Sequence, residues 1–167
     1  MLFLQWDASG LVKKFVPESG SDVVEALYAA LPTVQHMSTA VGYAEMFSIL
    51  LRTRNRGAID QVAFELAADS LRAELIDDPD FVLLAISDDA FYRGMSIMKA
   101  HNINSTDAAI LILFQDHIQN MVAPANAKFL LVASDQKLVS TAQALGLQAV
   151  NPQMMLASDV PAFLAGL

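Results

Sequence analysis

Short apolar runs alternate with helix-like stretches along the whole chain, and this alternation limits the fold more than any other feature. The runs are Leu2 to Trp6, Val34 to Met37, Phe81 to Ile86, Phe129 to Ala133 and Leu147 to Val150. Each is four to six residues long and lies between turn or capping signals, as strands do. Between them lie segments with helix punctuation. Leu11 to Val16 is a short helix stopped by Pro17, and Ser21 to Leu31 is one stopped by Pro32. A long helix follows Ser38-Thr39 to about Arg54, with Gly57 near its end. Ala58 to Ile76 is amphipathic, Ser87 caps a helix to about His101, and Ser105-Thr106-Asp107 opens an apolar one. Asn120 to Ala127, with Pro124, is a loop, and Ser134-Asp135 opens the helix that ends at Gly146.

Strands separated by helices make a parallel sheet with both faces covered, because a parallel connection must cross over the sheet. The expected fold is α/β, with a central parallel sheet of about four to five strands and helices on both faces. With 167 residues, no linker, no repeat and no low-complexity stretch, the chain makes one domain, 1–167. Ligands of such sheets bind at the carboxyl ends of the strands. Asp7 and Asp135 stand at two of those ends.

Composition narrows the chemistry. The chain has no cysteine, which excludes disulfides and thiolate metal sites and leaves oxygen or histidine as ligands. Oxygen favours Mg²⁺ or Mn²⁺ over zinc. His36, His101 and His117 are scattered and show no ligand spacing, so core or surface histidine is the reading for each. A net charge of −8 speaks against nonspecific binding of nucleic acid, although a bound dication reverses the local sign in a site built of acids. The longest apolar run, Ala108 to Phe114, is too short to span a bilayer, and Met1-Leu2-Phe3-Leu4 lacks the basic start of an export signal. The expectation is a soluble cytoplasmic protein. Hydrophobic residues reach 54%, high for a soluble monomer, so part of that surface is expected to pack against a second copy in a homodimer.

Each acid has two readings. Asp7, Asp107 and Asp135 all stand where a helix begins, and capping accounts for any one of them. Ser134 is the expected cap of the helix after Asp135, and Met95, Met98, Met154 and Met155 are expected to fill the core or an interface. Glu45 lies inside a helix in line with Val41 and Ile49, without a Lys or Arg within one turn. It is either a carboxylate at the edge of the apolar stripe with its head in solvent, or one that pairs with something the chain itself does not supply. Four acids at the junctions of one sheet repel one another unless a cation gathers them. The cluster Arg52-Thr53-Arg54-Asn55-Arg56 ends the Glu45 helix. It serves either the helix C-terminus or a phosphate-contacting rim.

The chain also resembles a known family. Leu4-Gln5-Trp6-Asp7-Ala8-Ser9-Gly10-Leu11-Val12-Lys13 to Pro17-Glu18 resembles the opening of PIN domains. Ser38-Thr39-Ala40-Val41-Gly42-Tyr43-Ala44-Glu45, Asn104-Ser105-Thr106-Asp107-Ala108 and Leu131 to Leu138 resemble their later motifs, in family order. Trp6 departs from the smaller apolar residue usual there, no further acid follows Asp135, and the loop Asn120 to Lys128 is longer than in VapC-type toxins. The resemblance implies a PIN-like fold and an Mg²⁺- or Mn²⁺-dependent ribonuclease. Asp7, Asp107 and Asp135 would be metal ligands, and Glu45 would hold a metal-bound water or a second ion. Ser9 would orient Asp7 or bind a phosphate, or else cap its helix, and Ser134 would support the site. Arg52, Arg54 and Arg56 would contact RNA or a partner. It further implies the toxin of a type II toxin-antitoxin pair, with a small antitoxin as partner. The alternative is a catalytically inactive PIN-fold module that binds RNA or protein. A dehalogenase-like phosphatase needs an acid two residues after Asp7, where this chain has Ser9, and no Walker or Gly-x-Gly-x-x-Gly sequence is present.

Overall fold

The computed structural model describes residues 1–120 and 127–167. The loop read at Asn120 to Ala127 therefore lies mostly outside the described residues. Among the described residues, five parallel strands form one sheet in the order β3-β2-β1-β4-β5. They are β1 (Leu2–Trp6), β2 (His36–Thr39), β3 (Val82–Leu84), β4 (Lys128–Val132) and β5 (Gln148–Val150). Alternate residues of β1 and β4 feed opposite cores. Leu4, Trp6, Leu130 and Val132 pack on one face, and Phe3, Phe129 and Leu131 on the other, as a period of two requires.

The first core is closed by α1 (Ala8–Leu11), α2 (Ser21–Ala29), α3 (Ala40–Asn55), α4 (Gln61–Arg72) and α8 (Val160–Gly166). The second is closed by α5 (Asp88–His101), α6 (Ser105–Asn120) and α7 (Gln136–Ala144). The expected sheet with helices on both faces is what forms.

Some boundaries differ from those read in the sequence, each for a local reason. The second strand starts at His36, not Val34, because Pro32 leads into a 3₁₀ turn at Thr33–Gln35. The helix expected from Ala58 begins only at Gln61, where the Asp60 carboxylate accepts from Ala63 N at 2.8 Å, and its end loosens into a π-helical turn at Ala73–Asp77. The helix expected at Leu11 to Val16 lies earlier, at Ala8–Leu11, and continues as a 3₁₀ turn at Val12–Lys14. The C-terminal helix α8 was not expected. Met95 and Met154 are exposed rather than in the core, whereas Met98 and Met155 are half-buried against it.

The sheet's order places the functional end. Strand order reverses between β1 and β4, the one point where connections leave to opposite sides, and a crevice opens outside such carboxyl ends. Asp7 leaves β1 there and Asp135 follows β4. Gly10 keeps the two chain segments close. A Cβ at that position would meet the Val132 carbonyl oxygen at 2.7 Å, so only glycine lets α1 lie on the end of β4.

Candidate functional site

Asp7 is held from both sides. Its backbone N–H donates to Val132 O at 3.0 Å, which ties the end of β1 to β4. Its side chain is the N-cap of α1, with Oδ2 accepting from Ser9 N at 2.9 Å and from Ser9 Oγ at 2.5 Å. The same Ser9 Oγ accepts from Ser134 N at 2.9 Å and from Asp135 N at 3.3 Å. One hydroxyl thus fixes the Asp7 carboxylate against the turn that carries Asp135. Ser9 lies within α1 rather than at its cap, so the capping alternative for this residue is not what forms.

Asp135, not Ser134, is the N-cap of α7. Its Oδ1 accepts from Lys137 N at 2.7 Å and Leu138 N at 3.1 Å. Ser134 lies in the bend between β4 and α7, one residue too early to reach the first free N–H groups of the helix. Its Oγ is buried and finds no partner among the described residues. Asn151, which sequence reasoning missed, braces this turn by donating from Nδ2 to Ser134 O and to Gln136 Oε1.

Asp107 stands in the first turn of α6, two residues inside its start. Asn104 takes the capping role: its Oδ1 accepts from Asp107 N at 2.8 Å, and its Nδ2 donates to Asp107 Oδ2 at 2.8 Å. The return bond differs from that of a capping box, since it comes from the Asn104 side-chain amide and not from its backbone N–H; the spacing Asn104-x-x-Asp107 was its available signal. Glu45 is half-buried on α3 and accepts no hydrogen bond among the described residues.

These elements bring Asp7, Glu45, Asp107 and Asp135 to the lining of one cavity of about 350 Å³, together with Ser9, Ser48 and Arg52. Capping and clustering are therefore not alternatives. In Asp7, Asp107 and Asp135 one carboxylate oxygen is taken by the local fold, and the other accepts nothing from the described residues.

The charges feel one another. Burial pushes the Asp7 carboxyl up from its ordinary value, partly offset by the Ser9 hydrogen bonds, with the Asp135 charge adding to the rise. Asp107 is pushed up to about 6, first by burial, then by the charges of Asp7 and Asp135, against the Asn104 hydrogen bond. Glu45 is raised by burial and by Asp7, and Arg52 pulls it back. A cluster that disfavours its own ionised form is what a divalent cation relieves.

As the side chains stand, no group of three or more acids or histidines among the described residues is arranged to enclose a metal ion. The donor chemistry nevertheless fits one. The free oxygens are hard ligands on three different elements, and Mg²⁺ keeps several waters, so water bridges suffice where carboxylates do not touch it.

The arginines divide. Arg52 lines the cavity. Arg54 lies over the Phe64 ring, 4.7 Å from its centroid, and bonds Asn55 and Gln61. Arg56 is the exposed C-cap residue of α3. His36 is buried and neutral in role: Trp6 Nε1 donates to its Nδ1 at 2.9 Å, and burial lowers its pKa.

No protein-family model matches the chain, and no curated protein matches it in sequence. Solved structures do match in shape. PAE2754 from Pyrobaculum aerophilum superposes with a TM-score of 0.63 at 13% identity, over 96% of each chain. A chain of FitAB bound to an IR36 DNA fragment matches at 0.63 and 16% identity, over 92% of this chain and 98% of that one. A toxin-antitoxin complex from Klebsiella pneumoniae matches at 0.56 and 15% identity, over 89% of this chain and 97% of that one. The chain has the PIN-like α/β fold of these proteins.

Proposed function

We propose that the chain is a metal-dependent endoribonuclease that hydrolyses RNA phosphodiester bonds. The observation that carries this reading is the gathering of Asp7, Glu45, Asp107 and Asp135 around one cavity at the point where strand order reverses. In this reading Asp7, Asp107 and Asp135 hold Mg²⁺ or Mn²⁺ through their free oxygens, and Glu45 holds a bound water or a second ion. The ion supplies an activated water and neutralises charge on the phosphoryl oxygens. The chain's own residues do the positioning. Ser9 locks the Asp7 carboxylate to the β4–α7 turn. Asn104 orients Asp107. Arg52, beside Glu45, contacts substrate phosphate.

We further propose that it acts in the cytoplasm as the toxin of a type II pair with a small antitoxin. The likeness in fold to a protein of a toxin-antitoxin complex supports that assignment. Among the described residues no helix is long and apolar enough to cross a membrane. A homodimer is supported by α5, where Phe91, Tyr92 and Met95 stand exposed at 37%, 72% and 63%.

The test is cleavage of single-stranded and structured RNA with Mn²⁺, with EDTA, and by folded Asp7→Asn and Asp107→Asn variants. Cleavage by the wild type alone, abolished by EDTA, is expected. Wild-type rates in either variant contradict the site. Binding of RNA without cleavage favours the inactive module.

A further inference from the structure

Lys13 stands in the 3₁₀ turn after α1, and its side chain is only 2% exposed. A lysine ammonium has three protons to donate. Among the described residues one acceptor meets it, Glu18 Oε1 at 2.7 Å. A buried charge is costly unless its hydrogen-bonding capacity is met, so this ammonium is short of acceptors. Its partner is differently placed. The Glu18 side chain is 50% exposed, on the segment that leads into α2, so it can move to water once another anion takes its place on the buried ammonium.

Beside this pair lies a second cavity of about 390 Å³, lined by Ser9, Lys13, Glu18, Asp135 and Gln153 among others. Ser9 and Asp135 also line the four-acid cavity, so the two adjoin. Lys13 is the one cation among the residues lining the second cavity, as Arg52 is for the first. An acidic site that takes the cleaved phosphate with a metal ion needs separate positive charge for the next phosphate along the strand.

We propose, on the basis of the ribonuclease reading above, that Lys13 binds an RNA backbone phosphate flanking the cleaved bond, and that Glu18 is a stand-in anion which that phosphate displaces. In the free protein Glu18 covers the ammonium. In the complex the phosphate offers several acceptor oxygens where Glu18 offered one, and Glu18 swings into solvent. Lys13 is then a substrate-positioning group, and the Glu18 side chain competes with substrate.

The experiment measures binding of a short, mixed-sequence, single-stranded oligoribonucleotide, with Ca²⁺ in place of Mg²⁺, across a range of salt concentration. Glu18→Gln removes the competing charge from an exposed position and should bind several-fold more tightly than wild type. Lys13→Met should bind several-fold more weakly, with the slope of log affinity against log salt reduced by about one. If the pair serves stability alone, both variants melt lower while the folded protein binds RNA as wild type does, and the proposal is overturned. Should Lys13→Met fail to fold, Glu18→Gln decides, because unchanged affinity there is enough to reject it. A wild type that neither binds nor cleaves RNA removes the ribonuclease reading along with this one. A wild type that cleaves, with Glu18→Gln unchanged in affinity, removes this one alone.

Discussion

Asp107→Asn should stabilise the metal-free protein, and only where Asp107 is ionised. Burial and the neighbouring charges of Asp7, Asp135 and Glu45 raise this carboxyl to about 6, from 3.8. An acid with a raised folded-state pKa keeps its proton in the folded state after the unfolded state has lost it. Stability from this group is therefore greatest at low pH, falls as pH rises between about 4 and about 6, and is fully lost above that range. Between pH about 5 and about 8 the wild type loses about 1.4 kcal/mol from this group if the shift is taken whole, and roughly 1 kcal/mol once partial exposure of the carboxyl is allowed for. Asparagine keeps an acceptor for Asn104 Nδ2 and carries no charge. In EDTA, urea denaturation should show the variant gaining about 1 kcal/mol on wild type between pH about 5 and about 8, or roughly 2–4 °C in Tm. His36 and His117, whose pKa values burial lowers, are common to both proteins, so the difference reports Asp107 together with the acids coupled to it. Saturating Mn²⁺ should reverse the ranking, since an ion that binds only the folded wild type stabilises it by about 2.7 kcal/mol at one hundred times Kd. A variant equally stabilised at both pH values, or less stable than wild type at the higher one, refutes the claim that burial and the neighbouring charges raise this carboxyl.

Two further substitutions separate local roles. Arg52→Ala should weaken RNA binding and lower its salt slope by about one, whereas Arg54→Ala should cost roughly 0.5–1 kcal/mol of stability through its stacking on Phe64 and leave binding unchanged, as read by filter binding and thermal melts. Trp6→Phe leaves the buried His36 Nδ1 without its donor and should cost about 1–3 kcal/mol in denaturant melts. Because burial lowers the His36 pKa, its contribution is present above about pH 6.5 and is lost as pH falls below that value. Sedimentation at micromolar concentration should give twice the chain mass, and a monomer there removes the proposed dimer without touching the site.

The sheet was legible in the sequence because its strands are nearly continuous apolar runs, which is how strands covered on both faces look. Phe129 to Ala133 could not be mistaken for anything half-exposed. Strands at the sheet edge were harder: β3 is three half-buried residues, with both ends inside the run Phe81 to Ile86, and β5 is no longer and starts one residue after Leu147 while ending at Val150 as read. The acids were legible as a set but not as individuals. A cap and a ligand look the same in one dimension, and in three dimensions Asp7 and Asp135 use one oxygen for the helix and leave the other toward the cavity. The unusual Trp6 gave no hint of its reason, because its partners His36 and Tyr28 come from distant segments joined only by folding. Lys13 was hidden for the same cause: nothing in Val12-Lys13-Lys14 distinguishes the buried lysine from its half-exposed neighbour, which pairs with Glu74 instead.

On this reading the four carboxylates hold a divalent cation. Crystals soaked in Mn²⁺ and measured for anomalous scattering test it most directly. A manganese peak is expected within the cavity, at about 2–2.3 Å from at least one carboxylate oxygen of Asp7, Asp107 or Asp135, and absent from crystals of the Asp7→Asn variant. No peak there at millimolar Mn²⁺, or an equal peak in the variant, contradicts it.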